Sequence, residues 1–268
     1  MELESWLNMN LEEEYKKQYQ WRDWGSVFSV LPIKQGDIVL DLGCAMGDQA
    51  LKLSELGYKV LGVDCDENLV SIARSRNIPN ASFSVSNLRD ISKLNLPKAD
   101  GIWASFTAAY FTDFGNVLKE WASLIKKDGW IAIVEADNLF GHSPLADDSR
   151  SLIESFYNDA FTNGRHDFRI GSRLHNNIKQ AGLLIEKESI IADAELSAKG
   201  QVQPEVLEAW KNRLSRMKGL QRFAGEKFTA FQSDFLSALD NPNHESQCRV
   251  IYVLVRNALT NIANSIPL

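Results

Sequence analysis

The stretch Val39-Leu-Asp-Leu-Gly-Cys-Ala-Met-Gly-Asp48 joins an apolar run to a helical pattern, and it decides the fold. The run 38–41 is short and apolar, as in a buried strand. Leu53 and Leu56 then share one side of a helix, and Gly57 follows as a left-handed cap. A glycine-rich turn between a strand and a helix lets backbone N–H groups approach a ligand at the carboxyl edge of a sheet.

Strand-like and helix-like segments continue to alternate after this stretch. Because such alternation places helices on both faces of a parallel sheet, the pattern predicts a doubly wound α/β fold. The helix predicted over 114–126 would carry Lys126 at the negative end of its dipole and would end at Gly129. The other predicted elements are strands at 58–63, 81–85, 101–104, 130–134, 183–191 and 249–255, helices at 67–76, 149–163 and 172–181, and two helices within 193–247.

Composition limits the class of protein. The chain has 268 residues, a formal net charge of −6 and three widely separated cysteines. That length corresponds to one large domain or two small ones. The cysteine spacing indicates neither a zinc site nor a disulfide framework and is typical of the reducing cytoplasm. The negative charge disfavours nucleic acid as a partner, no apolar run is long enough for a membrane span, and the amino terminus shows no secretion signal.

Three features sharpen the meaning of the turn. Its spacing is G-x-A-x-G, with Gly43, Ala45 and Gly47, and Asp41 stands two residues ahead. The dinucleotide fingerprint G-x-G-x-x-G would place its third glycine one residue later, which disfavours NAD. Asp64 ends the second strand about 20 residues beyond the first glycine, where a carboxylate can accept both hydroxyls of a ribose. Polar or aromatic residues also follow the third and fourth strands on this edge: Asn87, Ser105 and Phe106.

The stretch Asp41-Leu-Gly-Cys-Ala-Met-Gly47 resembles the first motif of class I S-adenosylmethionine-dependent methyltransferases. The wider segment 39–136 is similar to their small-molecule branch, type 11, which includes the ubiquinone and menaquinone C-methyltransferases. Leu124-Ile-Lys-Lys-Asp-Gly-Trp-Ile-Ala-Ile-Val-Glu135 resembles that branch's passage from helix to fifth strand, with Lys-Asp-Gly where Pro-Gly-Gly is usual. The resemblance implies S-adenosylmethionine as cofactor and says almost nothing about the methyl acceptor.

The resemblance also implies roles for individual residues. Asp41 and Gly43 would lie along the methionine part of the cofactor, and Asp64 would bind the ribose hydroxyls. Cys65 would pack beside the adenine, and the amide oxygen of Asn87 would accept from the adenine amino group. The remaining cofactor-binding candidates are Ala45, which replaces a glycine of the family, Gly47, Leu88, Ser105 and Tyr19.

The family's last strand runs antiparallel between strands five and six of a seven-stranded sheet. The segments that follow strands five and six should therefore emerge at the ligand edge. We expect them to form a helical cap over the methyl donor, together with an N-terminal lid. The predicted boundaries are a lid at 1–35, core at 36–136, cap at 137–170, core at 171–192, cap at 193–247, and the last strand and tail at 248–268.

Two histidines are candidates for catalysis. His142 and His166 lie in or beside the insertion after strand five, where either could act as a general base toward the acceptor. The alternative is that both are packing histidines. Displacement at a sulfonium depends mainly on alignment, so a base is not required. Tyr19 is the candidate lid residue, and its alternative role is packing of a helix onto the core.

The sequence therefore predicts a cytoplasmic methyltransferase that acts on an O, N or C nucleophile of a small molecule, without nucleic acid, membrane or metal. Two alternatives stay open at this point, namely a Rossmann-type oxidoreductase that uses NAD and a non-catalytic protein that binds S-adenosylmethionine. The sequence does not decide between a monomer and a homodimer.

Overall fold

The computed structural model describes residues 15–256, so expectations for residues 1–14 and 257–268 lie outside the described residues. The chain divides into two compact units. The assignment of the helical segments as a cap and lid over the cofactor stays a prediction. Among the described residues, the core unit comprises 29–135, 172–189 and 251–256, and the helical unit comprises 15–28, 136–171 and 190–250.

The strands form one large sheet and one small ribbon. They are β1 Ile38–Leu42, β2 Lys59–Asp64, β3 Ala81–Val85, β4 Ala99–Ser105, β5 Ile125–Asp137, β6 His142–Ser143, β7 Leu184–Ile191, β8 Glu245–Ser246 and β9 Arg249–Arg256. The large sheet has the order β3-β2-β1-β4-β5-β9-β7 with the last strand antiparallel, and β6 pairs with β8. This order confirms the predicted doubly wound, mostly parallel fold.

The helices alternate with the strands in the first half of the chain. They are α1, described over 15–20, α2 Trp24–Phe28, α3 Asp48–Glu55, α4 Glu67–Ser75, α5 Phe114–Ala122, α6 Asp147–Thr162, α7 Ile170–Gln180, α8 Pro204–Arg216, α9 Lys218–Ala224 and α10 Phe228–Leu239. Within the described part of the chain, none of them combines the length and the apolar character needed to cross a bilayer.

Strand β1 lies at the point where the strand order reverses. It pairs in parallel with β2 on one side and β4 on the other, so that Val39 lies opposite Val60 and Gly101. Val39 and Leu40 are fully buried, as expected for a strand with both faces covered. In such a sheet the crevice for a ligand opens beyond the carboxyl ends of the two strands at the reversal, here β1 and β4.

The predicted end of the helix over 114–126 is wrong. Helix α5 stops at Ala122, and the lysine pair that was expected to complete it belongs to β5. The Lys126 ammonium contacts both carboxylate oxygens of Asp100 at 2.8 and 2.9 Å, which holds this charged segment against β4. Gly129 lies within the strand, where an added Cβ would come within 3.0 Å of the Asp100 carbonyl oxygen.

Aromatic side chains form the core of the helical unit. The ring of Phe140 has five aromatic neighbours with centroids 5.3 to 6.4 Å away: Tyr157, Phe168, Trp210, Phe231 and Phe235. The segment 193–247, which was predicted to contain two helices, contains α8, α9 and α10. The prediction was wrong because Met217, with ψ of +65°, interrupts the first helix.

The segment before α2 belongs to the fold of the helical unit. Residues 21–23 pair with residues 192–194 through two backbone hydrogen bonds of 2.9 and 3.0 Å. Between these bonds, the Arg22 guanidinium contacts Asp193 Oδ2 at 2.6 Å, and both side chains are almost completely buried. The other oxygen of Asp193 accepts two backbone N–H groups, so this carboxylate is satisfied on both sides.

Strand β7 forms one edge of the large sheet. Leu184 and Ile190 stand near its two ends and are both about two-thirds exposed, at 64% and 65%. Between them lies the exposed, charged run Glu186, Lys187 and Glu188. The edge therefore combines apolar ends with a charged centre.

Helix α4 begins at a side-chain cap. Asp66 Oδ1 accepts hydrogen bonds from the backbone N–H groups of Asn68 and Leu69, at 2.9 and 3.2 Å. We expect Asp66→Ala to lower the free energy of unfolding by about 1 kcal/mol, because it leaves these groups without their acceptor. Urea denaturation measures the change. The control Glu55→Ala removes an exposed carboxylate paired with exposed Lys52 and should change stability by less than about 0.5 kcal/mol. Equal losses in the two variants would contradict the role of the cap.

Candidate functional site

The glycine turn between β1 and α3 lies in the core unit. Gly43 and Gly47 both have φ of +81°, and Ala45 between them has φ of +43°. Three residues of the turn therefore have left-handed backbone conformations. Glycine adopts this conformation without strain, whereas alanine does not. The Gly43 N–H donates to the Val63 carbonyl at 2.8 Å, which ties the turn to β2. Helix α3 then starts directly after Gly47, with its amino end at the carboxyl edge of the sheet.

Asp64, at the end of β2, is held by backbone groups on both sides. Its Oδ2 accepts the Ala45 N–H and its Oδ1 accepts the Asp66 N–H, each at 2.9 Å. The residue is partly exposed, and each carboxylate oxygen has a further lone pair for another donor. Cys65 follows with an exposed free thiol. The structure therefore brings Asp64 directly against the turn, and its role toward a ribose stays a prediction.

Asn87 and Leu88 follow β3 on the same edge. The Asn87 amide oxygen accepts the N–H of Arg89 at 2.9 Å and caps a short 3-10 helix, Leu88–Leu94. Leu88 is buried, with 6% of its surface exposed. The amide oxygen has a second lone pair, so the expected contact with an adenine amino group stays a prediction.

Two residues that the sequence analysis missed hold the loop after β4. The buried Thr107 hydroxyl lies 3.1 Å from the carbonyl oxygens of both Leu42 and Ser105, so it is the backbone of Ser105 that is engaged here. Glu135 is 1% exposed, and its Oε1 accepts the Ala109 N–H at 3.2 Å. In the sequence, both polar residues stand at or just beyond the end of a parallel strand, and this position could have identified them.

Asp41 differs from Asp64 in its surroundings. It is 2% exposed, and its Oδ2 has no hydrogen-bond partner among the described residues. Burial, followed by the nearby carboxylates of Asp64 and Asp48, raises the pKa of Asp41 to about 8. The Asp41 carboxyl is therefore mostly protonated at pH 7.

His142 belongs to the helical unit, where it forms a chain of hydrogen bonds. Its Nδ1 lies 2.9 Å from Nε2 of His244, and Nδ1 of His244 lies 2.9 Å from the Gly200 carbonyl oxygen. The carbonyl can only accept, so in the neutral pair each Nδ1 carries the proton. His142 Nε2 is then an unprotonated, buried nitrogen that has no hydrogen-bond partner among residues 15–256. Burial, then His244, lowers the pKa of His142 to about 3, although a hydrogen bond with the Leu139 backbone opposes the shift. A base role for His142 stays a prediction that this environment does not support.

His166 and Tyr19 also lie in the helical unit. Burial lowers the pKa of His166 to about 4, and its ring centroid lies 4.3 Å from that of Phe168. The Tyr19 ring stacks on Trp24 at 5.7 Å. Their roles as base and lid residue stay predictions. His244, which the sequence analysis did not single out, is the partner that gives His142 its orientation.

Comparison with known proteins addresses the family. A family model described as a methyltransferase domain matches residues 13–188, more than half of the 268 residues. The methyltransferase GfsG of Streptomyces halstedii is 26% identical over 135 residues, which is 48% of each chain. The chain spans about half the length of this relative, and less of several other curated relatives that it matches.

Solved structures share the fold. A protein of Bacillus halodurans described as a methyltransferase superposes with a TM-score of 0.58 at 14% identity, covering 87% of this chain and 98% of that one. The [4+2]-cyclase SpnF gives a TM-score of 0.57 at 16% identity, covering 87% of this chain and 78% of that one. At these identities the likeness shows the fold alone.

The core-unit edge suits S-adenosylmethionine, the cofactor of this family. The buried Oδ2 of Asp41, which has no hydrogen-bond partner among the described residues, can take a cationic group, and Asp64 has the exposure to accept hydroxyl donors. The spacing of the turn and the family match leave the NAD alternative without support. From the turn, the two carboxyl groups beside it and the matching family model, we conclude that the chain belongs to the class I S-adenosylmethionine-dependent methyltransferases.

Proposed function

We propose that this protein transfers the methyl group of S-adenosylmethionine to an O, N or C nucleophile of a small molecule. The observation that carries the proposal is the pair of carboxyl groups at the ends of β1 and β2, on either side of the glycine turn: Asp41 is buried, and Asp64 is held by two backbone N–H groups. S-Adenosylmethionine supplies an electrophilic methyl group on a sulfonium. The protein has to bind both reactants in alignment and exclude water.

The core unit supplies the cofactor-binding groups. Asp64 would accept from the ribose, and Asp41 would face the methionine end. Thr107 and Glu135 fix the backbone after β4, which carries Tyr110 with 62% of its surface exposed. We assign this loop to the border of the acceptor site, because it lies at the ligand edge and its backbone is held in place.

We assign selection of the acceptor to the helical unit. A small molecule is favoured by the net charge of −6, which repels polyanions. The many aromatic rings of the helical unit suit an acceptor with an apolar part. All three cysteines are free thiols, which fits a reducing cytoplasm. The proposal needs no general base, in keeping with the low pKa values of His142 and His166.

Calorimetric titration tests the cofactor. S-Adenosylmethionine and S-adenosylhomocysteine should bind with micromolar affinity and NADH should not. Asp64→Ala should weaken binding about ten- to a hundredfold, because it removes an ionised acceptor from the ribose site. Asp66→Ala is the matched control, since it removes a carboxylate two residues away and leaves Asp64 in place. Preference for NADH, or equal binding by Asp64→Ala and the intact protein, would contradict the assignment.

A turnover assay tests the acceptor class. The protein is incubated with methyl-labelled S-adenosylmethionine and either a panel of phenols, amines and carbon acids or total RNA, and the labelled products are separated by size. We expect label on small molecules only. Labelled RNA would contradict the acceptor class, and cofactor binding without turnover across a broad panel would favour the non-catalytic alternative.

A further inference from the structure

We infer that binding of the methionine end of S-adenosylmethionine expels the proton of the Asp41 carboxyl, so that cofactor binding is coupled to proton release. The inference rests on the proposed cofactor site and adds a protonation step to it. The Asp41 carboxyl would be neutral in the free protein and ionised in the complex with S-adenosylmethionine.

Asp41 and Asp64 occupy the ends of adjacent parallel strands, where residue 41 lies opposite Gly62 in the register of β1 and β2. The two carboxyl groups differ in their hydrogen bonds. Both oxygens of Asp64 accept backbone N–H groups, whereas Oδ2 of Asp41 is buried and accepts none from the described residues. A negative charge on Asp41 would therefore be buried with one oxygen lacking a hydrogen-bond donor from the described residues, which disfavours ionisation.

The other ionisable groups around Asp41 do not compensate for its charge. Asp48 on α3 adds a negative charge, although Arg76 contacts its Oδ1 at 2.7 Å. Burial raises the pKa of the Cys44 thiol in the turn, so this thiol stays neutral. No ion pair between Asp41 and a lysine or arginine occurs within residues 15–256. The neutral carboxyl is therefore the stable form in the free protein, in keeping with its pKa of about 8.

A cation at this position reverses the preference. The α-ammonium of the ligand provides an opposite charge beside the carboxyl, which favours the ionised form. The O–H bond of Asp41 breaks, its proton passes to water or buffer, and the carboxylate that remains pairs with the ammonium. S-Adenosylmethionine carries a further positive charge on sulfur, which S-adenosylhomocysteine lacks. Proton release should therefore be at least as large for the methyl donor as for the product.

The coupling makes affinity depend on pH. Below pH 8, binding has to displace a proton, so the apparent Kd for S-adenosylmethionine should rise up to about tenfold for each unit by which the pH falls. The ligand's own α-amino group has a reference pKa of about 7.7–8.0, so it is mostly charged below about pH 7 and loses its charge as the pH rises toward 8. This loss of charge works in the opposite direction, so the dependence on Asp41 is measured below about pH 7.

Calorimetry in two buffers of different ionisation enthalpy measures the protons directly. At pH 7, titration in phosphate and in Tris should give a release of about one proton for S-adenosylmethionine and S-adenosylhomocysteine. 5′-Methylthioadenosine, which has the nucleoside and no amino-acid part, should give a value near zero. This comparison uses the intact protein and needs no variant.

Two variants assign the proton to its residue. Asp41→Asn preserves the shape of the neutral carboxyl and cannot ionise, so it should bind with little proton release at pH 7 and with little dependence on pH between 6 and 7. Asp48→Asn is the matched control, because it removes a neighbouring charge and leaves Asp41 able to titrate. It should retain the release.

The outcomes separate this inference from the cofactor assignment. Tight binding of S-adenosylmethionine without proton release would overturn the coupling and leave the cofactor site standing. Release that persists in Asp41→Asn would also overturn it, since another group would then be the source. Failure of all three nucleosides to bind the intact protein would overturn the cofactor assignment and the coupling with it.

Discussion

Replacement of Gly43 by alanine is expected to weaken S-adenosylmethionine binding at least a hundredfold and to lower the free energy of unfolding by about 2–4 kcal/mol. Gly43 has φ of +81°, where an L side chain is strained. An added Cβ would also lie 2.1 Å from Thr107 Oγ1. Thr107 cannot move away easily, because it is buried and its hydroxyl donates to carbonyl oxygens at the ends of β1 and β4. The turn would therefore be displaced from Asp41 and Asp64.

A matched control separates the backbone strain at positive φ from the steric clash with Thr107. Gly36 has φ of +83° and nothing within 4 Å of an added Cβ. Gly36→Ala should therefore lose only about 1–2 kcal/mol and leave cofactor binding unchanged. Calorimetric titration and urea denaturation report the two quantities. Adding Thr107→Ala to Gly43→Ala should recover part of both losses. Binding by Gly43→Ala within threefold of the intact protein would disprove the tight packing of the turn.

Mild acid is expected to destabilise the helical unit through its buried histidines. The pKa values of His142 and His166 fall to about 3 and about 4, below the value of about 6.5 for an unfolded chain. At mildly acidic pH, these two histidines therefore bind protons in the unfolded chain and stay mostly neutral in the folded chain. The stabilisation is complete above pH 6.5 and is lost as the pH falls toward 4. Each histidine contributes up to about 1.4 kcal/mol per pH unit, so the loss between pH 6.5 and 4.5 is about 3–5 kcal/mol.

The slope of stability against pH isolates His142. His142→Gln keeps a donor for His244 and cannot titrate, so urea denaturation at pH 7, 6 and 5 should give a slope smaller by about 1 kcal/mol per pH unit on average. The difference in slope can be interpreted even if His142→Gln is less stable at every pH, because the carboxylates contribute equally to the pH dependence of both proteins. His175→Gln is the control. His175 is exposed, 3.1 Å from Glu188, and its loss should leave the slope nearly unchanged. An identical slope in His142→Gln would refute the explanation.

The parts of the structure that the sequence predicted are those set by local chain order. The run through Asp41, the turn and the strand ending at Asp64 are close in sequence, and the connection of a parallel strand to the next places their carboxyl ends together. The family match confirms the cofactor implied by these residues. The individual contacts of the predicted site residues with the cofactor stay predictions.

The features that the sequence analysis missed depend on distant contacts. The hydrogen bond of Thr107 to Leu42 spans 65 residues, and the pair of His142 and His244 spans 102. Neither follows from periodicity or spacing. The wrong end of α5 has a similar cause, because Lys126 is fixed in a strand by Asp100, 26 residues earlier. A lysine pair shortly before a glycine is locally typical of a helix end, whereas the pairing of Ile125 and Trp130 with β4 shows that this segment belongs to a strand.

The edge strand β7 bears on self-association. Suppose that β7 strands of two copies pair antiparallel about a twofold axis normal to the sheet. Residues that lie opposite each other in this pair must project from the same face of the sheet. A register centred on Lys187 places this lysine opposite its own copy and Glu186 opposite Glu188. A register centred on either glutamate places that carboxylate opposite itself. Like charges face each other in all three arrangements, which destabilises the pairing despite apolar Leu184 and Ile190. The open edge should therefore disfavour extension of the sheet into a second molecule in these three registers, which centre on the charged run.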